Sequence, residues 1–320
     1  MSTLSSREPL FWAVQRQRNR GVIGLFVVVI AFLALYAYLF PGLFTLGGFS
    51  KFTQNWFPLA LVAMAQTLLM MMGGISLAIG PLVSLGAVIA ATVMGTAFGV
   101  TGAIVAVLLA GLVVGGITGA IVSYLRLPAI IVTLAGSFII GGIALIILPR
   151  PGGVIPAGFS DFLAGHTPAA FGLLVVIVIL WKLYLATPLG LGIYAAGDNP
   201  IGAFRSGVAV NRVRIATYAL SGLLTTLAGL FVAAQTGSGD PVIGTPFTLN
   251  SIAAAVLGGV SFLGGRGTMR GALAGSLLLS VMINVMFFLG FPPVAQYIAQ
   301  GLIIVGAVAI PQFTGRWRRS

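Results

Sequence analysis

Residues 101–124 read TGAIVAVLLAGLVVGGITGAIVSY, an uncharged and almost wholly apolar run. As an α-helix this run is about 36 Å long at 1.5 Å per residue, and the hydrocarbon core of a membrane is about 30 Å thick. The run therefore predicts a membrane-spanning helix. Gly111, Gly115 and Gly119 share one of its faces, which favours close packing against another helix of the same chain over contact with a second subunit.

Similar apolar segments lie on both sides of this run. Of the 320 residues, 59% are hydrophobic and 6% are charged, whereas a soluble domain carries about 25% charged residues. The low charge excludes a soluble globule, and the apolar content excludes a disordered chain. We predict an all-α polytopic membrane protein with about ten transmembrane helices, at 21–40, 57–73, 79–98, 101–124, 128–148, 169–187, 213–236, 248–263, 270–290 and 292–310.

The basic residues indicate the orientation. If the N-terminus is cytoplasmic and the ten spans alternate, fourteen of the sixteen Lys and Arg residues lie inside, and only Lys51 and Arg150 lie outside. Cytoplasmic loops carry such an excess, so both termini are predicted to be cytoplasmic. The chain then divides into a basic N-terminal segment (1–20), a single transmembrane domain (21–311) and a basic tail (312–320). No basic patch carries the interleaved aromatic residues that nucleic-acid binding would need.

Residues for catalysis are missing from the pattern. The chain has no Cys, one His and four acidic residues, and these acids are spread over different loops, so neither a metal site nor an acid–base pair is predicted. No phosphate-binding G-x-x-x-x-G-K-[ST] motif occurs. We expect no catalytic residue and no cofactor bound by this chain. No ionisable residue falls near the middle of a predicted span, which argues against an ion-coupled transporter.

The predicted cytoplasmic loop 188–212 holds a short helix with signals at both ends. Asn199 is a favourable N-cap, Pro200 is favoured at the first helical position, and Gly207 suits a helix stop. A helix of about two turns is marginal alone in water, so it must pack against something. It could dock a cytoplasmic partner with Phe204 as the anchor, or it could lie on lipid headgroups.

Neutral polar residues inside the predicted spans are candidates for a passage. Gln66, Ser76, Asn250 and Asn284 are among them. An amide in hydrocarbon is costly unless it is hydrogen-bonded, so each must face a neighbouring helix or a wet path. Neutral amides and hydroxyls suit a neutral, hydroxyl-rich solute better than an ion.

Three stretches resemble the membrane permeases of ribose-type sugar ABC importers. Their order and spacing match the family, and the likeness runs from about residue 55 to 310. The stretches are GGISLAIG at 73–80, YAAGDN at 194–199 followed by RSGV at 205–208 and YALSGL at 218–223, and LNSIAAAVLGGVS at 249–261 followed by GGRGT at 264–268.

This resemblance implies partners and roles. Permeases of this family form dimers in the bacterial inner membrane, and each subunit has about ten spans. A periplasmic binding protein delivers the solute, and two cytoplasmic ATPases bind ATP with Mg²⁺. The ATPases would dock on the short helix, through residues matched here by Asn199, Pro200, Ala203, Phe204, Arg205 and Gly207. The implied cargo is a monosaccharide or related polyol.

Two departures from the family pattern widen the range of interpretations. Ser76 and Asn250 stand where the family usually has Asp, so a second, different permease in the dimer could supply the acids. Related permeases carry amino acids, nucleosides or signalling molecules. The sequence is also compatible with a gradient-driven secondary transporter of a small neutral solute, and with a structural subunit that forms no passage.

Overall fold

A computed structural model describes residues 27–165, 168–292, 294–296, 298–299 and 301–302. Within these ranges the chain is helical, and its only bridge between extended segments joins Gly152 to Gly239. The helices are α1 (Val27–Leu39), α2 (Leu46–Met71), α3 (Ile79–Val93), α4 (Gly99–Tyr124), α5 (Ala129–Ile147), α6 (Ala157–Ala164), α7 (Ala169–Leu185), α8 (Pro188–Asp198), α9 (Pro200–Arg205), α10 (Val210–Thr236), α11 (Thr245–Leu257) and α12 (Met269–Phe288).

In the part of the chain that the structure describes, four helices are long and apolar enough to cross a membrane, namely α4, α5, α10 and α12. A fifth is added if the bent pair α6 and α7 counts as one span. The four coincide closely with the predicted spans at 101–124, 128–148, 213–236 and 270–290. The all-helical membrane architecture is thus confirmed, whereas the number ten and the cytoplasmic termini remain predictions. The predicted terminal segments 1–20 and 312–320 lie outside the described residues.

Three of the other predicted spans have different boundaries in the structure. Helix α3 ends at Val93, five residues before the predicted end at residue 98, and its 15 residues are about 22 Å long, too short to cross the membrane as one helix. Helix α2 begins at Leu46, eleven residues before the predicted start at residue 57, because Pro58 is tolerated inside a buried membrane helix whose neighbours enclose it. Helix α11 has 13 residues, about 20 Å at 1.5 Å per residue. The predicted span at 248–263 is therefore too short to cross the membrane as one helix.

Glycine faces bring α10 into contact with α3 and α4. A Cβ on Gly111 would lie 2.6 Å from the Gly222 carbonyl oxygen, and one on Gly115 would collide with the Tyr218 carbonyl oxygen. Gly86 of α3 meets the α10 backbone at Thr226 in the same way. Small residues permit this close approach of helix backbones. The predicted glycine face of α4 therefore packs within the chain.

The bundle has two ends, which we name after the elements that lie there. Helix α10 runs from the α8–α9 end to the Gly239 end. The Gly265 N–H donates a hydrogen bond to the Met71 carbonyl oxygen (2.9 Å), and Gly265 also touches Asp198. Helix α2 therefore ends at the α8–α9 end. The Val154 N–H bonds the Ala91 carbonyl oxygen (2.9 Å), which places the last turn of α3 at the Gly239 end.

The short helices α3 and α11 begin beside each other and run in opposite directions. A Cβ on Gly80 would lie 2.7 Å from the Gly244 carbonyl oxygen, and the Gly244 N–H donates to Ser84 Oγ (2.9 Å). Each helix follows an irregular segment, 72–78 before α3 and 237–244 before α11. Irregular backbone at membrane depth is stable where protein surrounds it.

Candidate functional site

The helix α9 begins where the sequence predicts. Asn199 Oδ1 accepts a hydrogen bond from the Gly202 N–H (2.9 Å), and Pro200 occupies the first helical position. The side chain therefore satisfies one of the N–H groups that have no partner within the helix. Proline loses no hydrogen bond at this position and fixes a helical φ angle.

The other end of α9 is closed by backbone hydrogen bonds. Gly207 has a φ of +85°, in the left-handed region where glycine carries no steric penalty. Its N–H donates to the Phe204 carbonyl (3.0 Å), and the Val208 N–H donates to the Ala203 carbonyl (3.0 Å). These two bonds form a Schellman motif, which ends the helix. The capped short helix is confirmed, at six residues.

The two sides of α9 differ in exposure. Ala203 is buried, whereas Ile201 is 68% exposed and Phe204 is 73% exposed. Arg205 is also exposed. We call these three exposed residues the exposed α9 face. Burial raises the pKa of the Tyr194 hydroxyl on the neighbouring helix α8 above its ordinary value.

Helix α8 contacts the end of α2 and the segment 264–265 through glycine backbone. We call these glycines (Gly73, Gly197, Gly264 and Gly265) the glycine junction. A Cβ on Gly197 would collide with the Met71 carbonyl oxygen at the end of α2. A Cβ on Gly264 would lie 2.6 Å from the Gly197 carbonyl oxygen. At these positions α8 and the end of α2 meet backbone to backbone, with no side chain between them.

The glycine junction unites the three stretches that carry the family resemblance. Gly73 comes from the first stretch, Gly197 from the second, and Gly264 and Gly265 from the third. Gly73, Gly264 and Gly265 have φ values of +76°, +86° and +68°, so side chains at these positions would be strained. The motif glycines thus have a physical reason, which is the contact among three distant segments.

The four predicted pathway residues do not form one cluster. Gln66 is completely buried, and neither of its amide atoms has a hydrogen-bond partner. Asn250 is 7% exposed, and its Oδ1 also lacks a partner. Ser76 Oγ accepts a hydrogen bond from the Ala78 N–H (3.2 Å), just before α3 begins. Asn284 bonds within α12 and to α2. No hydrogen bond described for the chain joins any two of the four.

A chain of amides at the Gly239 end includes one residue that the sequence did not suggest. Gln235 Nε2 donates to Asn55 Oδ1 (3.0 Å), and Asn55 Nδ2 donates to Asn284 Oδ1 (3.4 Å). Asn284 Nδ2 in turn donates to the Ser280 carbonyl (2.8 Å). We call Gln235, Asn55 and Asn284 the amide chain. It links α10, α2 and α12. Asn55 was missed because the predicted span began at residue 57, just after this amide.

The described ranges contain no group of three His, Cys, Asp or Glu side chains that could hold a metal ion. The polar features instead comprise a capped surface helix with an exposed aromatic, and neutral amides between the helices of a membrane bundle. Such features are typical of a multi-pass membrane protein.

Comparison with known proteins specifies the class. Residues 48–308 match the family described as the branched-chain amino acid transport system / permease component, and the chain belongs to that family. It is 32% identical to the ribose import permease protein RbsC of Escherichia coli (strain K12), over 96% of this chain and 97% of that protein.

Two further relatives show the range of the family. Identity is 30% with the ribose import permease protein RbsC of Haemophilus influenzae, over 91% of this chain and 93% of that protein. It is 32% with the autoinducer 2 import system permease protein LsrC of Yersinia pseudotuberculosis serotype O:1b, over 94% of this chain and 86% of that protein. No solved structure matches the chain.

Proposed function

We propose that the chain is the transmembrane subunit of an ATP-driven ABC importer that carries a monosaccharide or related polyol into the cell. The observation that carries this proposal is the exposed α9 face, which is coupled through the glycine junction to α2. An exposed aromatic on a short, doubly capped helix suits a protein partner, because such anchors supply much of the binding energy of an interface.

The proposal assigns a place and partners to the chain. The α8–α9 end faces the cytoplasm of the bacterial cell, the protein spans the inner membrane about ten times, and both termini are cytoplasmic. Two cytoplasmic ATPases bind ATP with Mg²⁺ and dock through residues Asn199, Pro200, Ala203, Phe204, Arg205 and Gly207. A periplasmic binding protein delivers solute at the Gly239 end. A second permease subunit, identical or different, completes the passage.

The neutral amides support a sugar as the cargo. The family description names branched-chain amino acids, whereas the relatives' names specify ribose and autoinducer 2. An amino acid carries an ammonium and a carboxylate, which need charged or strongly polar partners when they leave water. Gln66, Asn250 and Asn284 offer uncharged donors and acceptors, which match hydroxyl groups.

Gln66, Ser76, Asn250 and Asn284 are proposed as pathway residues. The hydroxyl of Ser76 accepts the Ala78 N–H, a bond that a carboxylate in the same position could also accept. The loss of the acid at residue 76 therefore needs no compensation from a different second permease. Mass spectrometry of the purified complex tests this point: two permease masses would indicate a heterodimer.

Docking is tested by co-purification with the candidate ATPase in detergent. We expect the unaltered chain to retain the ATPase and Phe204→Asp to lose it, because the charge must be desolvated at the interface. Phe98→Asp is the matched control, since Phe98 is 77% exposed but lies in the α3–α4 turn at the Gly239 end. Folding of both variants is checked by size-exclusion chromatography.

Failure of the unaltered chain to retain any ATPase would contradict the ABC importer. Gradient-driven transport would then be favoured, and uptake that collapses with the Na⁺ or proton gradient would support it. Equal loss of the ATPase in Phe98→Asp would show that Phe204→Asp acts by general destabilisation.

A further inference from the structure

We propose that the amide chain is a binding site for a neutral polyhydroxylated solute at the mouth of the passage. This inference rests on the proposed function, because it assumes that solute enters at the Gly239 end. It adds Asn55, which the sequence did not suggest, and Gln235, which the sequence placed only among the polar residues of the predicted spans.

The hydrogen bonds of the amide chain all run in one direction. Each amide donates one N–H to the next carbonyl oxygen, from Gln235 through Asn55 and Asn284 to the Ser280 carbonyl. A primary amide has two N–H donors and a carbonyl acceptor. Within the described residues, each amide therefore keeps a second N–H, and Gln235 keeps its carbonyl oxygen. The set presents several donors and an acceptor in a fixed arrangement.

The position of the amide chain suits solute entry. Gln235 is the penultimate residue of α10, so the amide chain lies at the end of the bundle opposite the exposed α9 face. Asn55 and Gln235 are exposed, yet their amides bond to each other across two helices, a constraint that exposure to water alone does not require. Amides exposed to lipid would be costly. The face they form is therefore occupied by water, by solute or by another protein.

The amide chain is aligned with an unsatisfied amide deeper in the bundle. Gln66 lies eleven residues after Asn55 on α2, which is about three turns at 3.6 residues per turn, so both project from nearly the same face. Gln66 is buried, and both of its amide atoms lack partners. Buried amides without partners are costly. A solute that leaves the amide chain and moves along α2 would offer Gln66 the hydroxyl groups that it lacks.

Hydroxyl-rich solutes fit this chemistry better than charged ones. A sugar hydroxyl both donates and accepts, so adjacent hydroxyls can bond an N–H of one amide and the carbonyl of another. Lys51 lies one turn from Asn55 on the outer side and is exposed. The positive charge of Lys51 and the lack of an acidic residue in the amide chain both disfavour a cation at this site.

Uptake measurements are the first test. The complete complex with its ATPase and binding protein is reconstituted in liposomes, and D-ribose uptake is measured at saturating binding protein. We expect Asn55→Leu to lower the maximal rate about tenfold, the equivalent of one net hydrogen bond. Asn55→Gln should recover part of the rate. Gln296→Leu is the control, because the bond described for its amide is local, to the Phe291 carbonyl.

Labelling separates solute binding from a structural role. The chain has no cysteine, so Lys51→Cys gives a single thiol about 6 Å from Asn55, one helical turn away, with the amide chain intact. A membrane-impermeant methanethiosulfonate should modify this thiol more slowly when D-ribose is present. Ala97→Cys, exposed in the α3–α4 turn at the same end, should react at the same rate with and without D-ribose.

The outcomes are distinct for the two proposals. If the unaltered complex imports D-ribose while Asn55→Leu matches it, or if D-ribose leaves Lys51→Cys labelling unchanged, the amide site is overturned and the importer stands. Cross-linking of Lys51→Cys to a second permease, without modification by the reagent, would identify a subunit interface and overturn the site. A complex that retains its ATPase but imports no D-ribose would overturn the sugar assignment and the amide site together.

Discussion

Helices α2 and α5 show that the more apolar of two helices need not be the more buried one. Helix α5 is among the most apolar segments of the chain, yet only four of its 19 residues are buried. Helix α2 does not qualify as a membrane span by composition, because it carries polar residues such as Gln54 and Gln66, yet 20 of its 26 residues are buried. Between these two helices, the more apolar one is the more exposed on the outside of the bundle, and the enclosed one carries the polar groups.

The difference follows from what surrounds each helix. Lipid tails cannot hydrogen-bond, so a lipid-facing helix must be apolar. A helix enclosed by protein meets carbonyls, hydroxyls and amides, as Trp56 Nε1 does when it donates to Ser276 Oγ (3.0 Å). Polar groups for solute transport can therefore be placed on α2 but not on the outer side of α5.

The largest expected effect comes from a comparison of two phenylalanines. Phe231 of α10 packs against Phe57 of α2, whereas Phe138 lies on the exposed side of α5. Phe231 is 2% exposed, and its ring centroid lies 4.4 Å from that of Phe57. We expect Phe231→Ala to lower the free energy of unfolding by about 3 kcal/mol, because it leaves a cavity. Phe138 is 75% exposed, and Phe138→Ala should change it by less than about 0.5 kcal/mol.

Thermal unfolding in detergent micelles measures both variants. Similar losses from the two substitutions would contradict the contrast, since they would show that lipid-facing and enclosed positions contribute alike. A large loss from Phe138→Ala alone would instead indicate that this side of α5 contacts another subunit.

Much of the fold could be predicted from sequence, for reasons visible in α4 and α9. In hydrocarbon an uncharged apolar run of this length satisfies its backbone hydrogen bonds as a helix, so α4 was predicted closely. The caps of α9 act within a few residues, so Asn199 and Gly207 could be recognised without knowledge of the tertiary structure. The early start of α2 was missed, because its first turns contain polar residues that only surrounding protein makes acceptable.

The candidate site was less predictable, because its contacts join distant segments. Gly197 meets Met71 from far along the chain, and neither residue carries a local signal for that contact. The resemblance located the motif glycines but gave no physical reason for them. Gln66 and Asn284 were found by their polarity, whereas Asn55 needed the observed length of α2.

The next prediction compares a glycine that touches α2 with one on α5. Gly197→Ala should lower solute uptake about tenfold while the ATPase is still retained, because the added Cβ collides with the Met71 carbonyl oxygen and disturbs the glycine junction. Gly142→Ala should transport normally, since no atom lies within 4 Å of its added Cβ. Uptake and ATP hydrolysis in proteoliposomes measure the coupling. Normal uptake by Gly197→Ala would show that the contact does not transmit movement.

A third prediction separates stability from transport on α2. Gln66→Met should raise the free energy of unfolding by about 1 kcal/mol, because it replaces a buried amide that lacks partners with an apolar side chain of similar length. The same variant should import solute more slowly. A loss of stability would show that Gln66 has a hydrogen-bond partner in the assembled complex, and that its role is structural.

The smallest expected effect tests the contrast within α5 itself, through two hydroxyls one turn apart. Thr133 is buried, and its Oγ1 accepts the Leu77 N–H (3.1 Å) from the segment before α3. Among the described residues, Ser137 Oγ bonds only the Leu134 carbonyl of its own helix. Thr133→Val should lower the free energy of unfolding by about 1 kcal/mol, since it leaves the Leu77 N–H without a partner. Ser137→Ala should lower it by less than about 0.5 kcal/mol.

Thermal unfolding measures both variants. A measurable difference between them would show that the inner side of α5 holds the irregular segment 72–78 in place. Equal values would mean that this segment is held from α2 and α10 alone.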